Sequence, residues 1–229
     1  MIEVRRENLD FEKGEVFLID KPYEWTSFDV VKKIRGALRI KKVGHAGTLD
    51  PLATGLLIVC AGKATKRIDE FQGKPKSYTG KLVLGKTTPS IDLETEFDRE
   101  SPFDHITIEQ VQEQADLLTG DIMQVPPEYS AIKIDGERAY KMARKKESVK
   151  LDPRPVHVSK FRVVEIKFPE VAFEIDCSKG TYIRSLVRDL GIGLGCGAYM
   201  SALRRTAIGE YEIDAAYDLN EFIEAIKRN

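Results

Sequence analysis

Apolar and polar positions alternate in several textures along this chain. Gly14-Glu15-Val16-Phe17-Leu18-Ile19-Asp20 predicts a first strand, ended by Lys21-Pro22. Ser27 then stands as an N-cap with Asp29 in the first turn, and Val30, Ile34 and Leu38 recur at helical spacing to about Leu38. Leu56 to Ala61 is an unbroken apolar run between glycines, the pattern of a fully buried strand. Gly62 opens a helix to about Phe71, and Lys76 to Gly85 reads as a further strand. Thr107 and Gln110 form a capping-box pattern for a helix to Leu118, closed by Gly120. Val171, Phe173, Ile175 and Cys177 alternate with polar residues as in a half-buried strand. A helix begins near Thr181 with Ile183, Leu186, Val187 and Leu190 on one face, and another spans Leu219 to Lys227.

Composition narrows the class. Hydrophobic residues at 42% and charged residues at 32% are ordinary for a soluble globular protein, and 229 residues suffice for one large domain. The start, Met1 to Asn8, has no signal-peptide core, and no apolar run reaches membrane-spanning length, so a cytoplasmic protein is expected. Cys60, Cys177 and Cys196 are scattered, and His45, His105 and His157 lie far apart, so no metal or redox spacing appears. A net charge of -1 does not advertise nucleic acid. Yet charge is segregated: Arg138 to Lys160 holds eight basic residues against two acidic, an RNA-type footprint, while Asp92 to Asp104 holds six acids and one base and reads as an exposed loop. Lys32, Lys33, Arg35, Arg39, Lys41 and Lys42 lie on or just after the first helix. They form either a solvated face or a track for a phosphate backbone.

The candidate chemistry centres on Val43-Gly44-His45-Ala46-Gly47-Thr48-Leu49-Asp50-Pro51-Leu52-Ala53-Thr54-Gly55. Glycines allow sharp turns and close approach, and Pro51 biases Asp50 toward an extended conformation. Alone, Asp before Pro can equally be a turn residue bonded to its own backbone. Gly62-Lys63-Ala64-Thr65-Lys66 lacks the spacing of a phosphate-binding loop. Arg184 stands early in its helix, where the dipole disfavours a cation, which suggests a carboxylate partner.

The Asp50 string resembles, in one ungapped register, the catalytic motif of the bacterial tRNA pseudouridine synthase B family. Lys21-Pro22 with Thr26-Ser27, Gly180-Thr181-Tyr182-Ile183-Arg184, and Ala202-Leu203-Arg204-Arg205-Thr206 resemble three further family segments in the right order. The likeness runs from about residue 14 to 212. It departs at Glu24, where the family has glycine; if that glycine has a positive backbone angle, Glu24 bears strain or the turn differs.

The resemblance implies an α+β pseudouridine synthase fold, a mixed, largely antiparallel sheet flanked by helices with a central RNA-binding cleft. It implies a single catalytic domain over 1–229 with a basic RNA-clasping insertion at about 124–155; many family members carry a further C-terminal PUA domain, and this chain, which stops after the helix Leu219 to Lys227, departs from them and is expected to have no C-terminal PUA domain. The implied reaction converts uridine to pseudouridine in the T loop of tRNA, position 55, on a flipped-out base and with no cofactor or metal. Asp50 is the implied nucleophile and Arg184 its ion-pair partner. Tyr78 stacks on the target base and can accept a proton. His45 fills the place of the extruded base, Tyr182 and Leu203 wall the pocket, and Lys21, Lys66 and the 138–160 region hold phosphates. The partner is the tRNA T arm, met by a monomer away from any membrane. Two rivals remain: a non-catalytic tRNA-folding chaperone using the same cleft, and a metal-dependent hydrolase using Asp50 with Asp92.

Overall fold

The computed structural model describes residues 9–130, 132–134, 136–145 and 151–227. Residues 146–150, with Lys146 and Lys150 of the basic 138–160 stretch and the expected end at Lys146 of a helix-like stretch from Glu137, lie outside them, as do Ala131 and the segment Met1 to Asn8.

In chain order the first elements are β1 (Glu15–Lys21), α1 (Ser27–Leu38), β2 (Val43–Ala46), β3 (Ala53–Ala61), α2 (Ile68–Gly73) and β4 (Lys76–Leu84). Then come β5 (Lys86–Thr87), β6 (Arg99–Glu100), α3 (Ile108–Leu117), β7 (Gly120–Gln124), β8 (Lys133–Ile134), β9 (Glu137–Arg138) and α4 (Ala139–Arg144). Last are β10 (Arg154–Lys167), β11 (Glu170–Cys177), α5 (Ile183–Gly193), β12 (Ala198–Ile208), β13 (Tyr211–Glu212), β14 (Tyr217–Asp218) and α6 (Leu219–Lys227). The class is α+β, with mixed and mostly antiparallel strand pairing, as the family resemblance implies. Among the described residues no helix is long and apolar enough to cross a membrane.

Two compact units divide the chain: residues 1–78 with 203–229, and residues 79–202. In the first, β3 is the organising strand. It pairs antiparallel with β1 (Ile19 opposite Leu57) and β2 (His45 opposite Val59), and parallel with β12 (Leu203 opposite Ala53). Leu57 and Val59 face a core of Phe17, Ile34, Leu38, Phe222 and Ile226, contributed by β1, α1 and α6. Leu56, Ile58 and Cys60 face a second core with Phe71 and Ile208. Both faces of β3 are therefore buried, which is why its sequence is continuously apolar rather than alternating. The helix expected from Gly62 to Phe71 is a 3-10 stretch, Gly62–Arg67, followed by α2.

In the second unit β10 pairs antiparallel with β11 and β7, and Val171, Phe173, Ile175 and Cys177 are buried as their alternation predicts. The capping box of α3 is present, with Thr107 and Gln110 exchanging hydrogen bonds, although α3 ends at Leu117 rather than Leu118. The Asp92 to Asp104 segment is not exposed throughout: Asp92 is 3% exposed, and its carboxylate accepts from the Glu94 amide at 3.0 Å.

Candidate active site

Three buried side chains from different elements fix the backbone on either side of Asp50. Lys21, at the end of β1, is 0% exposed, and its ammonium donates to the carbonyls of Pro22 (2.9 Å), Trp25 (2.6 Å) and Pro51 (3.2 Å). Ser27 accepts from the Leu49 amide at 2.9 Å and donates to the Leu49 carbonyl at 3.2 Å. Arg205, from β12, is 1% exposed and donates to the carbonyls of Leu56 (2.7 Å) and Gly47 (3.1 Å). The loop that carries Asp50 is thus pinned at residues 47, 49 and 51, with Asp50 itself half-buried. Gly55 is required where β12 passes: its φ is 103°, and a Cβ there would lie 2.3 Å from the Arg205 carbonyl oxygen.

The electrostatics follow from burial. Desolvation pulls the Lys21 ammonium down to about 8, with the Asp50 carboxylate the largest influence holding it up. Desolvation also works against the Arg205 charge, and the Tyr78 hydroxyl, hydrogen-bonded to it, supports that charge. Burial first, and the Arg205 cation second, hold the His45 imidazole below its usual range, so the ring is neutral at pH 7. Tyr78 on β4 is 9% exposed and Leu203 on β12 is 8% exposed. Lys66 is exposed on the 3-10 stretch.

Arg184 and Tyr182 belong to the second unit. Arg184, at the start of α5, is 3% exposed and donates to the carbonyls of Ser90 (2.9 Å) and Tyr129 (2.8 Å). Its Nε lies 3.7 Å from Asp92 Oδ2, so Asp92 supplies a carboxylate of the kind that the arginine's position predicts. Ile91, next to that aspartate, has φ 66°, a conformation that a β-branched residue adopts only under strain. Tyr182 is the N-cap residue of α5, so the helix starts two residues later than Thr181. Its amide donates to Gln124 Oε1 at 2.8 Å, its carbonyl accepts from Gln124 Nε2 at 3.1 Å, and Arg154 stacks over its ring at 4.7 Å. Ser185 donates to the Val125 carbonyl at 2.8 Å. The start of the 124–155 segment is therefore tied to α5 by Gln124, Val125 and Tyr129.

The first unit brings together Asp50, Lys21 and Leu203 by the bonds and strand pairing above, and places His45 and Tyr78 beside Arg205. Lys21, expected on a phosphate, instead spends its three donors on carbonyls of its own chain, because it is fully buried. Ser27, expected to cap α1, is the helix's first residue; Thr26 caps it, in a capping box with Asp29. Sequence reasoning missed Arg205, Gln124 and the Leu49-binding role of Ser27. Arg205 was quoted only inside a motif, and no local pattern marks a fully buried arginine.

Comparison with known proteins adds the family. Residues 35–183 match the TruB family pseudouridylate synthase N-terminal domain, and residues 184–229 match the tRNA pseudouridylate synthase B C-terminal domain. The chain is 48% identical to a tRNA pseudouridine synthase B of Parabacteroides distasonis, covering 96% of this chain and 97% of that one. It is 46% identical to the protein of that name in Flavobacterium johnsoniae, covering 95% of this chain and 98% of that one. The similar protein of Mycobacterium bovis is 43% identical, with 91% of this chain and 72% of that one covered. Among solved structures, one of a Cbf5-Nop10-Gar1 complex superposes with a TM-score of 0.72 at 29% identity, covering 96% of this chain and 57% of that chain. With its residues matched from 35 onward and its relatives aligned nearly end to end, the chain belongs to the TruB family of pseudouridylate synthases.

Proposed function

We propose that this protein isomerises uridine to pseudouridine at position 55 in the T loop of tRNA, with Asp50 as nucleophile and without a cofactor. The observation that carries the reading is the pinning of the Asp50 loop by Lys21, Ser27 and Arg205. A carboxylate that must meet one atom of a base gains rate from such fixed placement. The C1′–N1 glycosidic bond breaks, the base turns, and a C1′–C5 bond forms. The proton on C5 is lost and N1 regains one, so atoms and electrons balance with no redox partner. Asp50 supplies the electron pair that takes up the ribose or the base between the two bonds. On this reading Arg184 is the ion-pair partner of Asp50. Tyr78 stacks on the extruded base, where an aromatic face is worth about 1–3 kcal/mol. The neutral His45 ring fills the vacated stack, Tyr182 and Leu203 bound the base, and Lys66 with the basic 138–160 region holds phosphates. On this reading the protein is a cytoplasmic monomer whose partner is the tRNA T arm.

The test is tritium release from tRNA carrying 5-tritiated uridine, in chelator, with wild type and Asp50→Asn. Release by wild type and none by the variant is expected. Release by both removes Asp50 from the chemistry. No release by either, with tRNA still bound, favours a folding chaperone.

A further inference from the structure

α1 and α6 enclose a groove of about 850 Å³ in the first unit, with Trp25, Ile223 and Ile226 among its walls. Lys32, Lys33 and Arg39 line it, and each of these three side chains is exposed. Two acids also line it, the exposed Glu24 and Asp29, which is engaged by Thr26 in the capping box; Lys227, a fourth lining cation, pairs with Glu224 at 3.0 Å. The net character is cationic over an apolar floor. A second observation points the same way. Among the described residues of this unit, the large hydrophobics left exposed are Tyr23 (50%) and Phe28 (61%), and both stand within three residues of Trp25. Basic side chains interleaved with unburied aromatics suit unpaired nucleotides, because every base offers a π-face and every linkage a phosphate.

The groove is continuous with the Asp50 loop through covalent and hydrogen-bonded links. Trp25 gives its carbonyl to the Lys21 ammonium that also holds Pro51, and Ser27, the first residue of α1, holds Leu49. From there α1 runs 12 residues, about 18 Å, with Lys32, Lys33 and Arg39 along it. We propose that the α1–α6 groove is a second RNA-binding site, which takes an unpaired stretch of the same RNA whose uridine reacts at Asp50, its phosphates on Lys32, Lys33 and Arg39 and a base against Trp25. This rests on the synthase reading for the identity of the RNA and adds a place where that RNA is held outside the reacting loop.

Gly36 supplies the probe. It lines the groove, and a Cβ built on it meets nothing within 4 Å, so larger side chains enter the groove without disturbing the core. The three native cysteines are buried, so a Gly36→Cys variant carries a photo-crosslinker at one place. The experiment measures binding of an unmodified tRNA transcript between about 50 and 200 mM salt for wild type, Lys32→Ala/Lys33→Ala and Gly36→Leu. It then maps the RNA crosslinked to labelled Gly36→Cys. The double variant is expected to lower the salt slope by about 1.4, two single-strand phosphates' worth, and Gly36→Leu to weaken binding about tenfold at each salt concentration. The crosslink is expected on unpaired nucleotides. Wild-type affinity and slope in both variants, no crosslink, or a crosslink only to a second copy of the chain overturns the proposal. Wild type that releases tritium while the variants bind like it sinks the groove alone. Wild type that binds tRNA but releases none sinks the synthase reading, while the variants still decide the groove.

Discussion

Lys21 shows how far a residue's environment can move it from its sequence-level role. A lysine beside the Asp50 loop suggests a phosphate contact, and only burial against three carbonyls shows that it braces the loop instead. Its folded pKa of about 8 lies below the ordinary 10.5. Between those values the unfolded chain holds more protons than the folded one, so this group makes stability rise with pH across that window. Lys21→Met is expected to flatten the rise, which urea melts at a series of pH values would read. Glu24 is the second case. The sequence flagged it as the residue standing at a family glycine, and its φ of 64° confirms a left-handed backbone there. That conformation costs a residue with a Cβ roughly 1–2 kcal/mol, against about 0.4–1 kcal/mol of extra unfolded-state freedom for glycine. Glu24→Gly is expected to stabilise the protein by about 0.5 kcal/mol or slightly more, and an unchanged or lowered melting midpoint would refute the strain.

At the scale of elements, periodicity did most of what it can do. β11, α1, α3 and α6 were legible because each buries a face whose period is written in its residues, and β3 because an unbroken apolar run marks a strand buried on both faces. Helix starts were misplaced by one or two residues: Thr26 and Ser27 are both good caps, and the capping box of Thr26 with Asp29 settles the choice while the Ser27 hydroxyl holds Leu49. The role of β12 was illegible for a different reason. Arg205 acts through a guanidinium reaching residues some 150 positions earlier, and pairing over that separation leaves no local signal. Arg205→Met should cost about 1–3 kcal/mol for each carbonyl left without its donor. The loss should appear as a lower melting temperature together with faster hydrogen exchange at Thr48 to Asp50. A variant that melts like wild type with those amides still protected would mean that Lys21 and Ser27 suffice.

The molecule as a whole resolves the puzzle of a near-neutral RNA enzyme. Its charge of -1 is a sum of opposed regions: the basic side of α1 and the 138–160 segment against the acids after Ser90. Segregation was legible in the sequence, but the groove was not, because it needs α6 brought beside α1 from 180 residues away. Likewise the residues of the Asp50 motif could be named from one uninterrupted string, while the division into two units could not, since the first unit is built from two separated stretches of chain.

That discontinuity sets an order of events during synthesis. A nascent chain that has left the ribosome only as far as Ala202 carries Asp50, His45 and Tyr78 in full, yet lacks Arg205, β14 and α6. The segment 79–202 is complete at that moment and the first unit is not. Its core faces on β1 and α1 wait uncovered for Phe222, Ile223 and Ile226, as chain segments do when contacts of high sequence separation must close last. The protein therefore acquires the Asp50 carboxylate early in translation and the bonds that fix its loop only near the end.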